Sequence, residues 1–139
     1  MKKIQRIDPG PILSEVVVHN GVVYLAGQVS TGGAREVGGQ TREVLAAIDA
    51  LLARTGTDKT RILRAQIYLA DMADYNGMNA VWEQWVAPGQ APARATVQAA
   101  LAKPQWKVEI VVTAALPDAP AVKSSPAPTA PGRRARGAG

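Results

Sequence analysis

The stretches Ala91-Pro-Ala-Arg-Ala-Thr-Val97 and Lys103-Pro-Gln-Trp-Lys-Val-Glu-Ile-Val-Val-Thr-Ala-Ala115 are predicted to contain two strands, and each carries a charged residue, Arg94 or Glu109. The small and apolar neighbours of these two residues are typical of strands that pack in a core. Burial of an unpaired charge costs several kcal/mol. We therefore expect the two charges to meet each other or a ligand, and they are the first candidates for functional residues.

The N-terminal part of the chain is predicted to be rich in strands. Apolar runs at 4–7, 14–19 and 22–28 have the length and composition of strands. Asn20-Gly21 lies between the second and third runs, and both positions of such a tight turn need positive φ, so a hairpin is predicted there. A glycine-rich loop is predicted for residues 30–39.

Two amphipathic helices are predicted from apolar residues at helical spacing. Thr41 is predicted to begin the first helix and Gly56 to end it as the residue after the C-cap. Asp71 or Asp74 is predicted to cap the second helix. The stripes that would face the core are Val44, Leu45, Ile48, Leu51 and Leu52 on the first helix, and Tyr75, Met78, Val81, Trp82 and Trp85 on the second.

Three further strands, at 61–70, 93–98 and 108–116, complete a predicted order β-β-β-α-β-α-β-β. This order indicates an α+β fold with a mixed sheet and two helices on one face. Residues 110–115, Ile-Val-Val-Thr-Ala-Ala, are apolar without the alternation of a strand that is wet on one side. The second face of the sheet therefore needs cover, and other subunits are the expected source.

Composition restricts the classes of protein that remain open. The 139 residues suit one domain, and a hydrophobic content of 47% suits a real core. The absence of Cys excludes disulfides and thiolate chemistry, and a single imidazole, His19, argues against a zinc or iron site. The glycines form no phosphate-binding motif, and nothing in the sequence implies a metal or organic cofactor. No apolar run approaches the ~20 residues of a membrane span, and the start lacks the apolar core of a signal peptide, so the cytoplasm is the expected location.

A domain is predicted over residues 1–116 and a disordered tail over residues 117–139. The tail holds five of the ten prolines, with Ala, Ser and Gly, and cannot bury enough surface to fold. It also holds three units of the net charge of +5, from Lys123, Arg133, Arg134 and Arg136 against Asp118. The basic cluster is a possible contact for nucleic acid or an acidic surface, although a solvated tail is the simpler interpretation.

The residue types at the two charged positions suit ligand chemistry. The planar guanidinium of Arg94 fits a carboxylate in a bidentate manner, and the alternative is a structural ion pair or a solvated strand end. A buried Glu109 could hold or accept a proton near neutral pH, and the alternative is an exposed strand edge shared with Lys107. Thr96 follows Arg94 by two residues, so both project from the same face of the strand.

A wider pattern surrounds these residues. It comprises Pro-Ala-Arg94, a short loop and the apolar strand with Glu109, together with Gly10-Pro11, Val-Tyr-Leu-Ala-Gly27-Gln28 and Tyr-Asn-Gly-Met-Asn79-Ala-Val-Trp82. Over roughly residues 4–116 the chain resembles the RidA/YjgF family of reactive-intermediate (enamine/imine) deaminases.

The resemblance implies a chorismate-mutase-like homotrimer whose sheets face inward, with a pocket at each subunit interface, and the lack of a long apolar run predicts no membrane contact. It implies that Arg94 binds the carboxylate of an imino acid and that Glu109 orients a water for attack on the imine carbon. Thr96 stands where many relatives have Cys, and it would help to hold the water or the substrate nitrogen. Asn79 matches a family position on the second helix, with local hydrogen bonding as the alternative role.

The chain departs from the family pattern at two pocket positions. It has Ile12 in Gly-Pro-Ile and Ala26 in Ala-Gly-Gln, where relatives commonly have Tyr and Ser. Both losses make the implied pocket more apolar and remove two hydroxyls. The predicted function is hydrolytic deamination of 2-imino or enamine acids to 2-oxo acids and ammonia. The alternative, which the two losses favour, is a small-carboxylate-binding module without turnover, and a nucleic-acid role through the tail is a third class.

Overall fold

A mixed sheet of seven strands carries two helices on one face, as the predicted α+β class requires. The computed structural model describes residues 3–118, so the predicted tail lies almost entirely outside the described residues. The strands are β1 (Gln5–Pro9), β2 (Ser14–His19), β3 (Val22–Leu25), β4 (Gln28–Val29), β5 (Ile62–Leu69), β6 (Ala93–Gln98) and β7 (Val108–Ala115). The helices are α1 (Val37–Arg54) and α2 (Tyr75–Trp85), and single 3-10 turns lie at Lys59–Arg61 and Met72–Asp74. None of the helices in the described part of the chain is long and apolar enough to cross a membrane.

The strand order places the strand with Glu109 in the centre of the sheet and the strand with Arg94 at its edge. The order is β1-β2-β3-β7-β5-β6, and β4 also pairs with β7. Strand β7, which carries Glu109, is therefore central and pairs antiparallel with β3, β4 and β5. Strand β6, which carries Arg94, is an edge strand that pairs parallel with β5.

The predicted hairpin is confirmed, and the strand after it is interrupted. Asn20 and Gly21 have φ of 52° and 77°, as a tight turn between β2 and β3 requires. The predicted strand 22–28 is two strands, because the chain leaves the β3 path at Ala26 and pairs again as β4 from Gln28. The structure therefore has four strands before the first helix, one more than predicted.

Helix α1 begins at Val37 rather than at Thr41, so the predicted loop 30–39 is too long by three residues. The Thr41 hydroxyl does not cap the helix but donates back to the carbonyl of Val37 at 2.7 Å. Glycines allow the first turn to pack closely on its surroundings. A Cβ on Gly77 of α2 would lie 2.7 Å from the Val37 side chain. This close approach of α1 and α2 overrides the low helix propensity of Gly38 and Gly39.

The end of α1 and the capping of α2 agree better with the sequence predictions than the start of α1 does. Gly56 has φ of 85°, its N–H donates to Ala53 O at 3.1 Å, and the N–H of Thr57 donates to Leu52 O at 3.0 Å. These are the two hydrogen bonds of a Schellman motif, so the predicted end of α1 is confirmed. Asp71 caps the 3-10 turn that precedes α2, whereas Asp74 occupies the N-cap position of α2 without a side-chain hydrogen bond.

The core lies between the helices and one face of the sheet. The predicted apolar stripes of both helices are buried or packed against this core. On β7 the buried side chains alternate with half-buried ones, and the buried set is Val108, Ile110, Val112 and Ala114. The opposite sheet face carries Tyr24 and Val97, which are 47% and 43% exposed in a single protomer. This face is open but only partly apolar, because the register also places Arg64, Gln66 and Glu109 on it, whereas the pattern of residues 110–115 predicts an apolar face.

Candidate functional site

Arg94 is held by neutral groups of α2. Its Nη1 donates to Asn79 Oδ1 at 2.7 Å and its Nη2 to the Tyr75 hydroxyl at 2.8 Å. The guanidinium carbon lies 5.2 Å from the ring centre of Trp82 and 5.8 Å from that of Tyr75, within cation–π range. Within residues 3–118, the one ion pair joins Arg54 and Asp8, so Arg94 has no acidic partner there. The alternative of a structural ion pair for Arg94 thus finds no support in the described residues.

Asn79 links Arg94 to a residue that the sequence analysis did not single out. While its Oδ1 accepts from Arg94, its Nδ2 donates to Glu83 Oε2 at 3.1 Å. Glu83 lies one helical turn further along α2, and the i, i+4 spacing of Asn79 and Glu83 was the available signal. The chain of hydrogen bonds orients the amide so that its oxygen faces the guanidinium.

Thr96 is on the same sheet face as Arg94. The residues paired with them on β5, Ile67 and Ala65, are fully buried beneath the helices, so both side chains point to the helix side of the sheet. The Thr96 hydroxyl is shielded from solvent and has no hydrogen-bond partner among the described residues. A buried hydroxyl without a partner costs about 1–3 kcal/mol, so it marks a position where a ligand or a second chain would supply one.

Glu109 lies on the other sheet face. It pairs with Tyr68 of β5 and Val29 of β4, whereas its neighbours Val108 and Ile110 are fully buried toward the helices. Its half-buried carboxylate receives no hydrogen bond from the part of the chain that the structure describes, and Lys107 forms no ion pair with it there.

Gly27 is the second residue whose role near the site was not predicted from the sequence. A Cβ at this position would overlap the Glu109 carboxylate and lie 3.0 Å from its carboxyl carbon. The break between β3 and β4 therefore brings bare backbone against Glu109. A glycine inside a predicted strand is itself a signal, since it often marks a place where another group approaches the backbone closely. Its partner could not be read from the sequence, because the pairing of β4 with β7 is long-range.

The two positions that depart from the family pattern lie away from Arg94. Ile12 is 91% exposed in the loop between β1 and β2. Ala26 is half-buried beside Gly27, and its carbonyl accepts from the Gln28 side chain at 3.0 Å. Ala26 is thus near Glu109 in the fold, and Ile12 offers an apolar side chain to solvent or to another subunit.

The predicted site residues form two groups in one protomer. Arg94, Thr96 and Asn79 share the helix side, whereas Glu109 lies on the open face with Gly27 and Ala26 nearby. Strands β6 and β7 are separated by β5, so their backbones are about 10 Å apart at the usual strand spacing. Among residues 3–118, no group of three His, Asp or Glu side chains is placed to hold a metal ion.

Comparison with known proteins gives consistent matches across the folded part. A family profile described as Endoribonuclease L-PSP matches residues 3–116. A RutC family protein of Haemophilus ducreyi is 54% identical over 113 residues, which are 81% of this chain and 97% of that protein. The RutC family protein YoaB of Escherichia coli is 45% identical over 113 residues, or 81% of this chain and 98% of that protein.

A solved structure agrees with the sequence matches. The crystal structure of NMB1025, a member of the YjgF protein family from Neisseria meningitidis, is 49% identical with a TM-score of 0.82. It covers 84% of this chain and 98% of its own. The chain therefore belongs to the RutC/YjgF family, which confirms the resemblance drawn from Pro-Ala-Arg94 and Glu109.

Proposed function

We propose that the protein hydrolyses reactive 2-imino acids, and the enamines in equilibrium with them, to 2-oxo acids and ammonia. The observation that supports this most is the state of Arg94. Its guanidinium is oriented by Asn79 and Tyr75, yet no acid in the described part of the chain neutralises it. A fixed, uncompensated guanidinium is a receptor for a carboxylate, a group that every 2-imino acid carries.

A pocket that uses both charged residues must draw on two protomers. A water attacking the imine carbon has to lie about 3 Å from its base while the substrate carboxylate lies on Arg94. Opposite faces of one sheet do not allow that. The open face that carries Glu109 exposes the apolar side chains Tyr24 and Val97, which favours packing against further copies, and the proposed assembly is a homotrimer. Each pocket would then combine Arg94 and Thr96 of one copy with Glu109 of another.

The chemistry of such a pocket needs orientation and proton transfer. The substrate carboxylate binds Arg94, and the Thr96 hydroxyl, which lacks a partner among residues 3–118, bonds the attacking water or the substrate nitrogen. Glu109 takes a proton from the water as its oxygen bonds to the imine carbon, and then returns the proton to the nitrogen. Glu109 then transfers the hydroxyl proton of the tetrahedral carbinolamine to its nitrogen as the carbon–nitrogen bond breaks, so ammonia leaves and the remaining oxygen becomes the carbonyl of the 2-oxo acid.

A second candidate function is reversible binding of small carboxylates without turnover. One specific observation favours it. Asn79 and Tyr75 of the same protomer already orient Arg94, whereas Glu109 has no hydrogen-bond partner among the described residues. Ile12 and Ala26 also lack the hydroxyls that relatives commonly carry. Such a module would need Arg94 and not Glu109.

The deciding experiment generates the enamine 2-aminoacrylate, which tautomerises to a 2-imino acid, in situ and follows release of the 2-oxo acid with and without the protein. Acceleration that scales with protein concentration and is lost in Arg94→Lys supports the deaminase. Equal rates with and without protein, together with calorimetric binding of a 2-oxo acid, would reject the deaminase and support the carboxylate-binding module.

A further inference from the structure

A cavity of about 710 Å³ opens between the loop before α1 and the loop before β7. Its walls are the segments 30–35 and 103–107, and Gln40 contributes from α1. This volume lies within the range of about 300–1,000 Å³ typical of small-molecule sites. The cavity includes none of Arg94, Thr96 and Glu109, so it is separate from the site proposed above.

The charged side chains that line the cavity are all positive. Arg35, Lys103 and Lys107 line the cavity, and no Asp or Glu does. None of these three cations forms an ion pair within residues 3–118. The ammonium of Lys103 lies 5.3 Å from the ring centre of Trp106, another lining residue. Three cations around one concave surface repel each other and raise the local potential, and a bound anion would relieve that repulsion.

An acid of helix α1, Glu43, is hydrogen-bonded to the first wall. The Glu43 carboxylate accepts from the Ser30 hydroxyl, and from the N–H groups of Gly32 and Ala34 at 3.1 and 3.2 Å. It fixes the loop by these three hydrogen bonds and is not part of the lining. These partners are neutral, so Glu43 keeps its charge and, with Glu36 next to Arg35, offsets part of the positive charge near the first wall; the lining itself carries three cations and no acid of residues 3–118.

The two walls are fixed to each other by one buried amide. Gln40 is 2% exposed, and its Nε2 donates to Ala34 O at 3.1 Å and to Gln105 O at 3.0 Å. Its Oε1 accepts from the N–H of Lys107 at 2.8 Å. A cavity whose walls are tied in this way needs little ordering when a ligand binds, which favours affinity.

We infer that this cavity is an anion site that takes a small molecule carrying a phosphate group, held by Arg35, Lys103 and Lys107. Phosphate suits the lining because it offers several acceptor oxygens and about two negative charges to three separate cations. The remaining volume has room for the organic part of a phosphate monoester, with Trp106 as an apolar wall. The inference is independent of the imine chemistry.

The test is a titration of the full-length protein with inorganic phosphate at constant ionic strength, followed by two-dimensional NMR of backbone and indole N–H groups. We expect saturable shifts confined to residues 31–35, 103–107 and the Trp106 indole. The double variant Arg35→Gln/Lys107→Gln should raise the apparent Kd at least about tenfold, since two charge-assisted contacts are lost.

The matched control is Lys3→Gln/Arg6→Gln, which removes the same charge from exposed positions on and beside β1. It should leave the Kd within about twofold. Both variants keep the basic residues after position 117, so phosphate bound by those residues contributes equally to both titrations. Lys103→Gln, at an exposed position, provides a second cavity variant if the double variant folds poorly. Equal weakening in cavity and control variants, or shifts that spread without saturation, would overturn the inference.

Discussion

The hydrogen bonds of Arg94 explain how a cation can be fixed without being neutralised. Asn79 and Tyr75 each accept one N–H, and Trp82 lies within cation–π distance of the guanidinium. Neutral acceptors fix the direction of the guanidinium but leave its net charge available to a ligand. Arg54, by contrast, is paired with Asp8 at 2.8 Å, so its charge is already compensated.

Arg94→Lys should lower 2-oxo acid release roughly 10- to 150-fold while the protein remains folded. Lysine keeps the charge but not the two parallel donors, and loss of one charge-assisted contact is worth about 1.5–3 kcal/mol. The measurement is kcat/KM with a 2-imino acid generated in situ, beside a circular dichroism spectrum. Arg6→Lys, at an exposed position of β1, is the control, and unchanged kcat/KM in Arg94→Lys would remove the carboxylate receptor from the mechanism.

Glu109→Gln should lower kcat by about 10²–10⁴, because the amide keeps the shape of the carboxylate but cannot accept a proton. Binding of a 2-oxo acid, measured by calorimetry, should survive or become tighter as a negative charge is lost near the ligand. The binding module gives another result, with no wild-type turnover and a modest change in affinity. Equal turnover in wild type and Glu109→Gln would show that another group moves the proton.

The break between β3 and β4 is the element that brings backbone to Glu109. In Gly27→Ala the new methyl group would overlap the carboxylate, so either Glu109 or the strand must move. We expect a loss of about 1–3 kcal/mol in the free energy of unfolding and a fall in kcat comparable to that of Glu109→Gln. Denaturant unfolding and the deaminase assay measure the two effects.

Gly38→Ala is the matched control for that substitution. The nearest atoms to its added Cβ are 3.7 and 3.8 Å away, ordinary contact distances, and the position is helical. Alanine there should leave activity unchanged and raise stability by up to about 1 kcal/mol, since glycine is the poorer helix former. If Gly27→Ala behaved like Gly38→Ala, close packing at Gly27 would have no role in placing Glu109.

Strand β1 is tied to the end of α1 by Asp8 and Arg54, and this tie depends on pH. The hydrogen bond from Arg54 holds the pKa of Asp8 below its ordinary value of 3.8. A depressed carboxyl pKa contributes stability above the unfolded pKa, and the contribution is lost as pH falls through the folded pKa. The effect is small because both side chains are half exposed.

Asp8→Asn tests this tie. Asp8 has φ of 52°, a conformation that Asn also tolerates, so the substitution isolates the charge. The variant should melt slightly below the wild type at neutral pH, and the difference in Tm should shrink as pH falls below 3.8 and Asp8 becomes protonated in the folded state. A difference that stayed constant from neutral to acid pH would assign the effect to the local backbone rather than to the ion pair.

Local signals predicted those elements whose formation depends on neighbouring residues. Asn20-Gly21 predicted the hairpin and Gly56 the end of α1, because the φ preferences of these residues are local properties. The start of α1 at Val37 could not be predicted, because it depends on contact with Gly77 in another helix. The sequence also made Arg94 and Glu109 candidate site residues. Alternation along a strand shows which of its residues share a face, but not which face of the sheet that is. The opposite faces of Arg94 and Glu109 follow from the register across β5.

At the scale of the whole molecule, the opposite placement of Arg94 and Glu109 makes assembly a condition of the proposed chemistry. In a closed ring, each interface is heterologous and joins one surface of a copy to a different surface of the next. A pocket there would take Arg94 from one side and Glu109 from the other. Light scattering should therefore give three times the mass of the chain, and an active monomer would exclude this arrangement.

Mixing two inactive variants tests whether the pocket is shared between copies. Arg94→Lys and Glu109→Gln are each expected to be nearly inactive alone. After exchange of subunits at equal concentrations, random assembly places a wild-type Arg94 beside a wild-type Glu109 in about a quarter of the interfaces. Activity should therefore rise to about a quarter of the wild-type value, and a mixture kept from exchanging is the control. If one copy supplied both residues to each pocket, no mixed assembly would contain an intact pocket, and the mixture would stay as inactive as its components.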